Sequence, residues 1–380
     1  MKKVAIIGAG ISGLFIANLF KKSSNYEVTI YEKNTSVNLE EGYGIQLSVN
    51  SVRLLNQIAF DQFQNDKKFN PKKINFYSSK NLKKICDFNI SDFNSENCQY
   101  TTLKRSDLIN FLKKNVEILI KLNHSISKID QENERIQISF ENNETLECDY
   151  LIISDGVFSK SRSLISNNKN QPRYNNTLAI RGIISNSSKI DYEDISLFLG
   201  SDFHQVIYPV TQNGDKNFIA IMRYKLTLEE QKNYSLFKEN SFIKKVLENV
   251  PRENKEFFDK IKDLKIFPVF VSKDFFKTKN DNIYCIGDAF FAFPPSFAQG
   301  ASQSIEGAYE LFQSIKNNTE GDFFKKRVSK TKMVNNRSKL NQFLFHLSNP
   351  VSVFFRNIFL KKFVKNKKFL DSYLGKIYKN

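Results

Sequence analysis

The segment VAIIGAGISGLFIANLF, residues 4 to 20, sets three glycines at positions 8, 10 and 13 between an apolar run and a helix-like run. Two readings compete for it. A secretory leader has Met1, Lys2 and Lys3 in its favour, but KKSSNYEV offers no small-residue cleavage site, and a leader core prefers leucine where these glycines stand. A strand–turn–helix unit that cradles phosphates explains every part. Val4 to Ile7 predicts a strand buried on both faces. Gly8 permits a tight turn, Gly10 lets backbone approach a pyrophosphate, and Gly13 lets the helix pack closely on its sheet. Residues 12 to 22 predict a helix whose first amides attract phosphate. Glu27 to Tyr31 then predicts a second strand ending at Glu32, where a carboxylate can accept from both ribose hydroxyls of an adenosine. The turn by itself does not separate FAD from NAD.

Composition narrows the class. The 380 residues suffice for two domains or one large one, and 41% are hydrophobic. No run of eighteen apolar residues free of glycine or charge predicts a membrane-spanning helix. The formal charge is +17, yet the lysines are dispersed except near the C-terminus. Together with the abundance of Lys, Asn, Ile and Phe and the absence of Trp, this reads as AT-rich coding drift, and no nucleic-acid partner is expected. Cys86, Cys98, Cys148 and Cys285 form no C-x-x-C pair, and His124, His204 and His346 show no metal-ligand spacing. A reducing cytoplasm and no metal site are expected.

Further stretches carry chemistry. In EEGYGIQLSVNSVRLL, residues 40 to 55, Gly42 and Gly44 predict a loop before a surface helix starting near Val49. In TTLKRSDLINFLKK, Arg105 heads a helix whose inner face is Leu108, Phe111 and Leu112. In CDYLIISDGVFSKSR, a buried strand from Tyr150 to Ser154 runs into Asp155-Gly156, with Ser159 and Arg162 following. In NIYCIGDAFFAFPPSFAQGASQSIEGAYELF, a strand ends at Gly287-Asp288 and a helix opens at Gly300-Ala301, with Ile305, Ala308 and Leu311 on one face. Four strand-like blocks, TLAIRGII, ISLFLG, FHQVIYPV and NFIAIMRY, lie between.

In this order the motifs resemble the single-component FAD-dependent aromatic hydroxylases of the para-hydroxybenzoate hydroxylase fold. GYGIQLSVNSVRLL, FAQGASQSIEG and the C-terminal NQFLFHLSNPVSVFFRNIFL look most like the salicylate-hydroxylase-like and ubiquinone-biosynthesis branch. The resemblance implies an α/β fold: a Rossmann-like FAD-binding domain with a parallel sheet, a mostly antiparallel substrate sheet, and C-terminal helices. It divides the chain into an FAD-binding domain (1–75, 100–168 and 275–330), a substrate domain (76–99 and 169–274) and a helical basic segment (331–380). It assigns the ADP half of FAD to Gly8, Gly10, Gly13 and Glu32, with Ile11, Ser12 and Lys33 beside them. Gly44, Arg105, Asp155, Gly156 and Arg162 are expected around the cofactor. Gly287 with Asp288 is expected at the ribityl chain, and Gly300, Ala301 and Ser302 at the pyrimidine edge. There a helix N-terminus would favour the negative charge of reduced flavin.

The implied reaction uses NADH or NADPH as a transient reductant and dioxygen, through a flavin hydroperoxide, to hydroxylate a phenolic or N-heteroaromatic substrate, with a lipophilic quinone precursor among the candidates. Candidates for the substrate wall are Arg181, His204, Tyr208, Phe293 and Pro294, with Pro295 shielding the flavin from water; Arg181, Tyr208 and Pro295 rank as the catalytic set. Two departures from the family pattern stand out. Phe291 replaces a histidine, which removes any proton relay through that position, and Ala298 replaces a glycine. A non-hydroxylating flavin oxidoreductase of the same fold, or a flavin-binding accessory protein without turnover, stays open. The tail mixes Phe354, Phe355, Ile358, Phe359 and Phe363 with Lys361, Lys362, Lys365, Lys367 and Lys368. It reads either as a helix packed on the FAD domain or as a peripheral anchor on the anionic inner face of a membrane. The sequence leaves the oligomeric state open.

Overall fold

The computed structural model describes residues 1–37, 43–114, 119–132, 135–166, 170–186, 192–278 and 282–379; Gly42 lies outside them. Strand β1 (Lys2–Ile7) runs through the turn into helix α1 (Ile11–Lys21) and back along β2 (Tyr26–Tyr31). The chain continues through β3 (Gly44–Leu47), α2 (Val49–Asn56), β4 (Lys68–Phe69), β5 (Lys73–Ser78), β6 (Lys84–Asn89), β7 (Thr101–Lys104), α3 (Arg105–Lys114) and β8 (Leu119–Lys121). Strands β9 (Ile126–Glu132), β10 (Arg135–Phe140) and β11 (Thr145–Cys148) form an antiparallel trio before β12 (Tyr150–Ile153) and α4 (Lys160–Ile165). Next come β13 (Arg173–Ile184), β14 (Ile195–Gly200), β15 (Phe203–Pro209) and β16 (Lys216–Arg223). The short helices α5 (Leu228–Lys232), α6 (Asn240–Glu248) and α7 (Lys255–Asp259) precede β17 (Ile261–Val271) and β18 (Ile283–Cys285). Helices α8 (Gly300–Lys316), α9 (Glu320–Phe345) and α10 (Pro350–Phe363) follow.

Two sheets organise the molecule. The first is parallel throughout, in the order β18-β12-β1-β2-β8, with Val4 opposite both Val28 and Tyr150. Its central strand is apolar because α1 and α8 cover one face and β9–β11 the other, so both sides are removed from water. Leu14, Ile16, Ile305, Ala308 and Leu311 fill the first of these layers. The second sheet runs β17-β13-β16-β15-β14-β5-β6, antiparallel except where β14 meets β5. All four strand-like blocks of the sequence lie in it. Its outer face is packed by α6 and α7 through Phe242, Val246, Phe257 and Phe258.

Three expectations shift. α2 is a buried element rather than a surface helix: Val49, Asn50, Ser51, Val52, Leu54 and Leu55 are all inside, because it is wedged against α8. α9 passes position 331 unbroken, since Phe323, Arg327, Thr331, Val334 and Ser338 recur at helical spacing on its buried face. The tail packs on the FAD domain only through its last residues, and α10 itself lies elsewhere. α10 lies on β6, where Leu360 joins Phe76, Leu199 and Phe345. Leu374, Ile377 and Tyr378 then close over Tyr100, Tyr208 and Phe297. The sequence misleads here because apolar residues occur all round α10, while only Arg356 and Leu360 are fully buried.

Candidate functional site

The first turn separates packing glycines from another kind. Gly8 has φ +101°, and a Cβ there would meet the Ser154 carbonyl oxygen at 2.8 Å. A Cβ on Gly13 would lie 2.1 Å from the Gly8 oxygen. The chain's own packing therefore requires both. A Cβ on Gly10 would meet nothing within 4 Å, so its bareness serves something other than the chain. Gly10 also caps α1 without a side-chain hydrogen bond, leaving the first amides of the helix for an anion. Glu32 is tied to this turn: Oε2 accepts from Ala9 N at 2.9 Å and Oε1 from Asn34 N at 3.0 Å. Lys33 is exposed beside it, Ile11 is half-buried, and Ser12 is buried against the Gly287 turn.

That second turn brings a second helix start alongside. Gly287 has φ +60°, and a Cβ there would sit 2.6 Å from Ser12 Oγ. The following Asp288 projects its carboxyl into a cavity, within reach of water there yet ringed by protein. Desolvation pushes its pKa up from 3.8 to about 6, and the nearby Arg105 guanidinium opposes the rise. Gln299 caps α8 without a side-chain hydrogen bond, and a Cβ on Gly300 would again meet nothing within 4 Å. Two uncapped helix N-termini therefore flank one Gly-Asp turn. This suits a long ligand with phosphates at one end and an electron-accepting ring at the other, and the donors present fit FAD.

Other expected cofactor residues are placed differently. The Ser302 side chain is fully buried; its Oγ accepts from Ser48 N at 3.1 Å and lies 2.9 Å from Ser51 Oγ, so it joins α8 to α2 and leaves only its backbone for a ligand. Arg162 is 2% exposed and donates to the carbonyls of Ala289 (2.9 Å) and Val157 (2.8 Å), clamping two turns from beneath. Asp155 Oδ2 accepts from Ser161 N and Oγ, while its buried Oδ1 has no partner among the described residues. Gly156 has φ +86° with open space around it. Gly44 is bare because Asn217 and Val210 press on it; its amide donates to Asn217 Oδ1 at 2.7 Å.

The cavity, of about 540 Å³, lies between the inner face of the second sheet, the Pro295–Ala301 loop and the tail. Arg181, His204, Tyr208, Phe293 and Pro295 line it; Pro294 is buried but is not on its wall. Gln46 accepts from Tyr100 Oη at 2.7 Å and also hydrogen-bonds Tyr208, whose phenol burial holds well above its usual pKa. Phe291 faces away from the cavity. It stacks on Phe275 at 4.3 Å in the apolar layer beneath the parallel sheet, so that position could not bear on a bound substrate directly. Ala298 has φ +51°, a region that costs a Cβ-bearing residue about 1–2 kcal/mol and explains why glycine suits the position.

Sequence reasoning missed the partnership of two histidines. His204 Nδ1 lies 2.7 Å from His346 Nε2, and both rings are buried. Burial lowers both pKa values, that of His346 to about 4, so the pair is neutral at pH 7. The positions stand 142 apart with no shared motif, so no local signal could join them.

The FAD binding domain family model matches residues 1–326. Salicylate hydroxylase of Pseudomonas putida is 24% identical over 342 residues, 81% of this chain and 75% of that protein. The 6-hydroxynicotinate 3-monooxygenase of Bordetella bronchiseptica is 21% identical over 334 residues, 81% of either chain. Another curated relative aligns over 54% of its own length. HpxO of Klebsiella pneumoniae, solved with FAD and uric acid, superposes with a TM-score of 0.83 at 14% identity, covering 98% of this chain and 97% of that one. At that identity the likeness speaks for the fold.

Proposed function

Because the chain belongs to the FAD binding domain family, we propose that it is a monooxygenase that hydroxylates an aromatic ring held in the cavity beside Gly300, using NADH or NADPH and dioxygen. One oxygen atom enters a ring C–H bond, the other leaves as water, and the nicotinamide supplies the electron pair. One observation carries this reading: two uncapped helix starts meet at the Gly287-Asp288 turn, and the second opens onto an apolar cavity. The named activities of the aligned relatives, salicylate hydroxylation and 6-hydroxynicotinate monooxygenation, belong to the same reaction class.

Bound flavin supplies the electron transfer and the activation of oxygen. The chain supplies the rest. Amides of Gly10 to Ser12 would hold the diphosphate and Glu32 the adenosine ribose. Asp288 would accept from the ribityl hydroxyls, with Arg105 offsetting its charge. The amides of Gly300 and Ala301, at the start of α8, would favour negative charge at the ring's edge. Phe293, Pro295 and Phe297 keep water from the reacting face. Arg181 steadies a phenolate oxygen. His204, kept neutral by burial and held through Nδ1 by His346, is an uncharged hydrogen-bonding group on the cavity wall.

The test is anaerobic reduction by each nicotinamide with and without small phenols, followed by product mass under air. Ring-dependent reduction and gain of one oxygen atom are expected. A flavin that is reduced without any oxygen insertion moves the protein to the non-hydroxylating oxidoreductases.

A further inference from the structure

The tail concentrates both charge and exposed apolar surface. Residues 331–380 hold eleven Lys or Arg against the single acid Asp371, a net +10 of the chain's +17. On α10, Phe354, Phe355, Ile358 and Phe359 are exposed, Phe355 by 63%, and Leu340 and Phe343 of α9 are exposed as well. Spacings of three and four place the α10 residues on one stripe, and Lys361, Lys362 and Lys365 continue it, all exposed. The opposite side of the helix is fixed by Leu360, packed with Phe76 and Leu199 of the sheet, and by buried Arg356, which donates to the Leu344 carbonyl of α9. The ridge is therefore a permanent surface, held outward by a packed underside.

The cavity runs to this ridge. Its inner end is marked by Asp288 and Gly300; its outer wall includes Leu340, Phe359 and Phe363. A space of about 540 Å³ exceeds what a ring alone requires, and the part toward the tail has apolar walls. A fourteen-residue helix is about 21 Å long, and no helix among the described residues is long and apolar enough to cross a membrane. An aromatic stripe rimmed with lysines matches the headgroup boundary of an anionic bilayer, where rings enter the acyl edge and ammonium groups reach phosphate. A second copy would bring like charges together.

We infer that this ridge docks on an anionic lipid surface and that the cavity draws from it an amphiphilic aromatic substrate, ring toward Gly300 and chain toward Phe359 and Phe363. The substrate half rests on the hydroxylase reading; the docking half does not. The FAD-loaded protein is sedimented with vesicles of phosphatidylcholine alone or containing phosphatidylglycerol. Binding only to the anionic vesicles, weakened by salt, is expected. Lys361→Gln/Lys362→Gln lowers the partition coefficient about 25-fold, since each lysine near such a surface contributes about fivefold. Phe354→Ser/Phe355→Ser abolishes binding with the flavin spectrum retained. In detergent-free solution, a 4-alkylphenol series perturbs the flavin spectrum with Kd falling about fourfold per added methylene.

Absence of vesicle binding, equal binding to neutral vesicles, or variants that bind like the parent overturn the docking. Self-association or capture of nucleic acid that these substitutions remove, without lipid binding, assigns the ridge to another partner and also overturns it. A Kd indifferent to chain length overturns the substrate half. Vesicle binding by a protein that inserts no oxygen keeps the docking and removes the hydroxylase reading.

Discussion

Asp288→Asn is expected to stabilise the FAD-free protein while weakening its hold on FAD. The native carboxyl titrates at about 6 against 3.8 unperturbed, because desolvation in the cavity outweighs the attraction of Arg105. The sign follows from proton binding. Between those values the folded state holds more protons than the unfolded one, so this group's contribution to stability falls as pH rises through the window. Above it, the full cost of a poorly solvated anion is present; below pH 3.8 both states are protonated and the cost is gone. The interval corresponds to a ceiling of about 3 kcal/mol. Water reaches the carboxylate through the cavity, and solvent screening reduces the figure to about 1 kcal/mol. The asparagine variant should therefore melt higher than the parent near neutral pH, with the gain fading toward pH 4. If Asp288 accepts from the ribityl hydroxyls as proposed, losing that charged acceptor should raise the Kd for FAD about 10- to 100-fold. Thermal unfolding across pH, with and without FAD, reads both. A variant no more stable than the parent at pH 7, or a gain that persists at pH 4, would refute the assignment of a strained carboxylate.

Gly10→Ala should fold with stability within about 1 kcal/mol of the parent yet lose FAD affinity, because its Cβ meets open space in the protein alone; Gly13→Ala should lose thermal stability first, its Cβ falling on the Gly8 carbonyl. Phe291→His should lower stability by about 2–4 kcal/mol without improving turnover, since it buries an imidazole in the Phe275 stack; rescued or faster hydroxylation would contradict the placement. The His346 pKa of about 4 lies below the ordinary 6.5, so the unfolded state binds the extra proton in that window and stability should fall as pH drops through it. His346→Phe should flatten that slope in thermal melts, and an unchanged slope would show that the ring is not held neutral.

Local chemistry carried much of the outcome. The glycine spacing at 8, 10 and 13, the strand ending at Glu32, and the Gly287-Asp288 and Gly300 turns were all readable because each is a short backbone device whose residues are neighbours in sequence. The alternating apolar blocks announced the second sheet for the same reason: a period of two states which face is buried. Their partners were not readable. The parallel pairing of β14 with β5 joins segments more than a hundred residues apart and is set by packing, not by a turn.

What the sequence by itself determined is thus the glycine turn after β1, the helix starts and the class of fold. Tertiary structure alone decided that Arg162 and Ser302 are buried fasteners, that Phe291 lies off the cavity, that His204 meets His346, and that α10 covers β6 with Phe354 and Phe355 turned outward while Tyr378 turns in. Each of these depends on which distant surface a side chain meets. A residue's own chemistry allows either role; burial and the free energy of satisfying or desolvating its polar groups select one, and those terms arise only when the whole chain is packed.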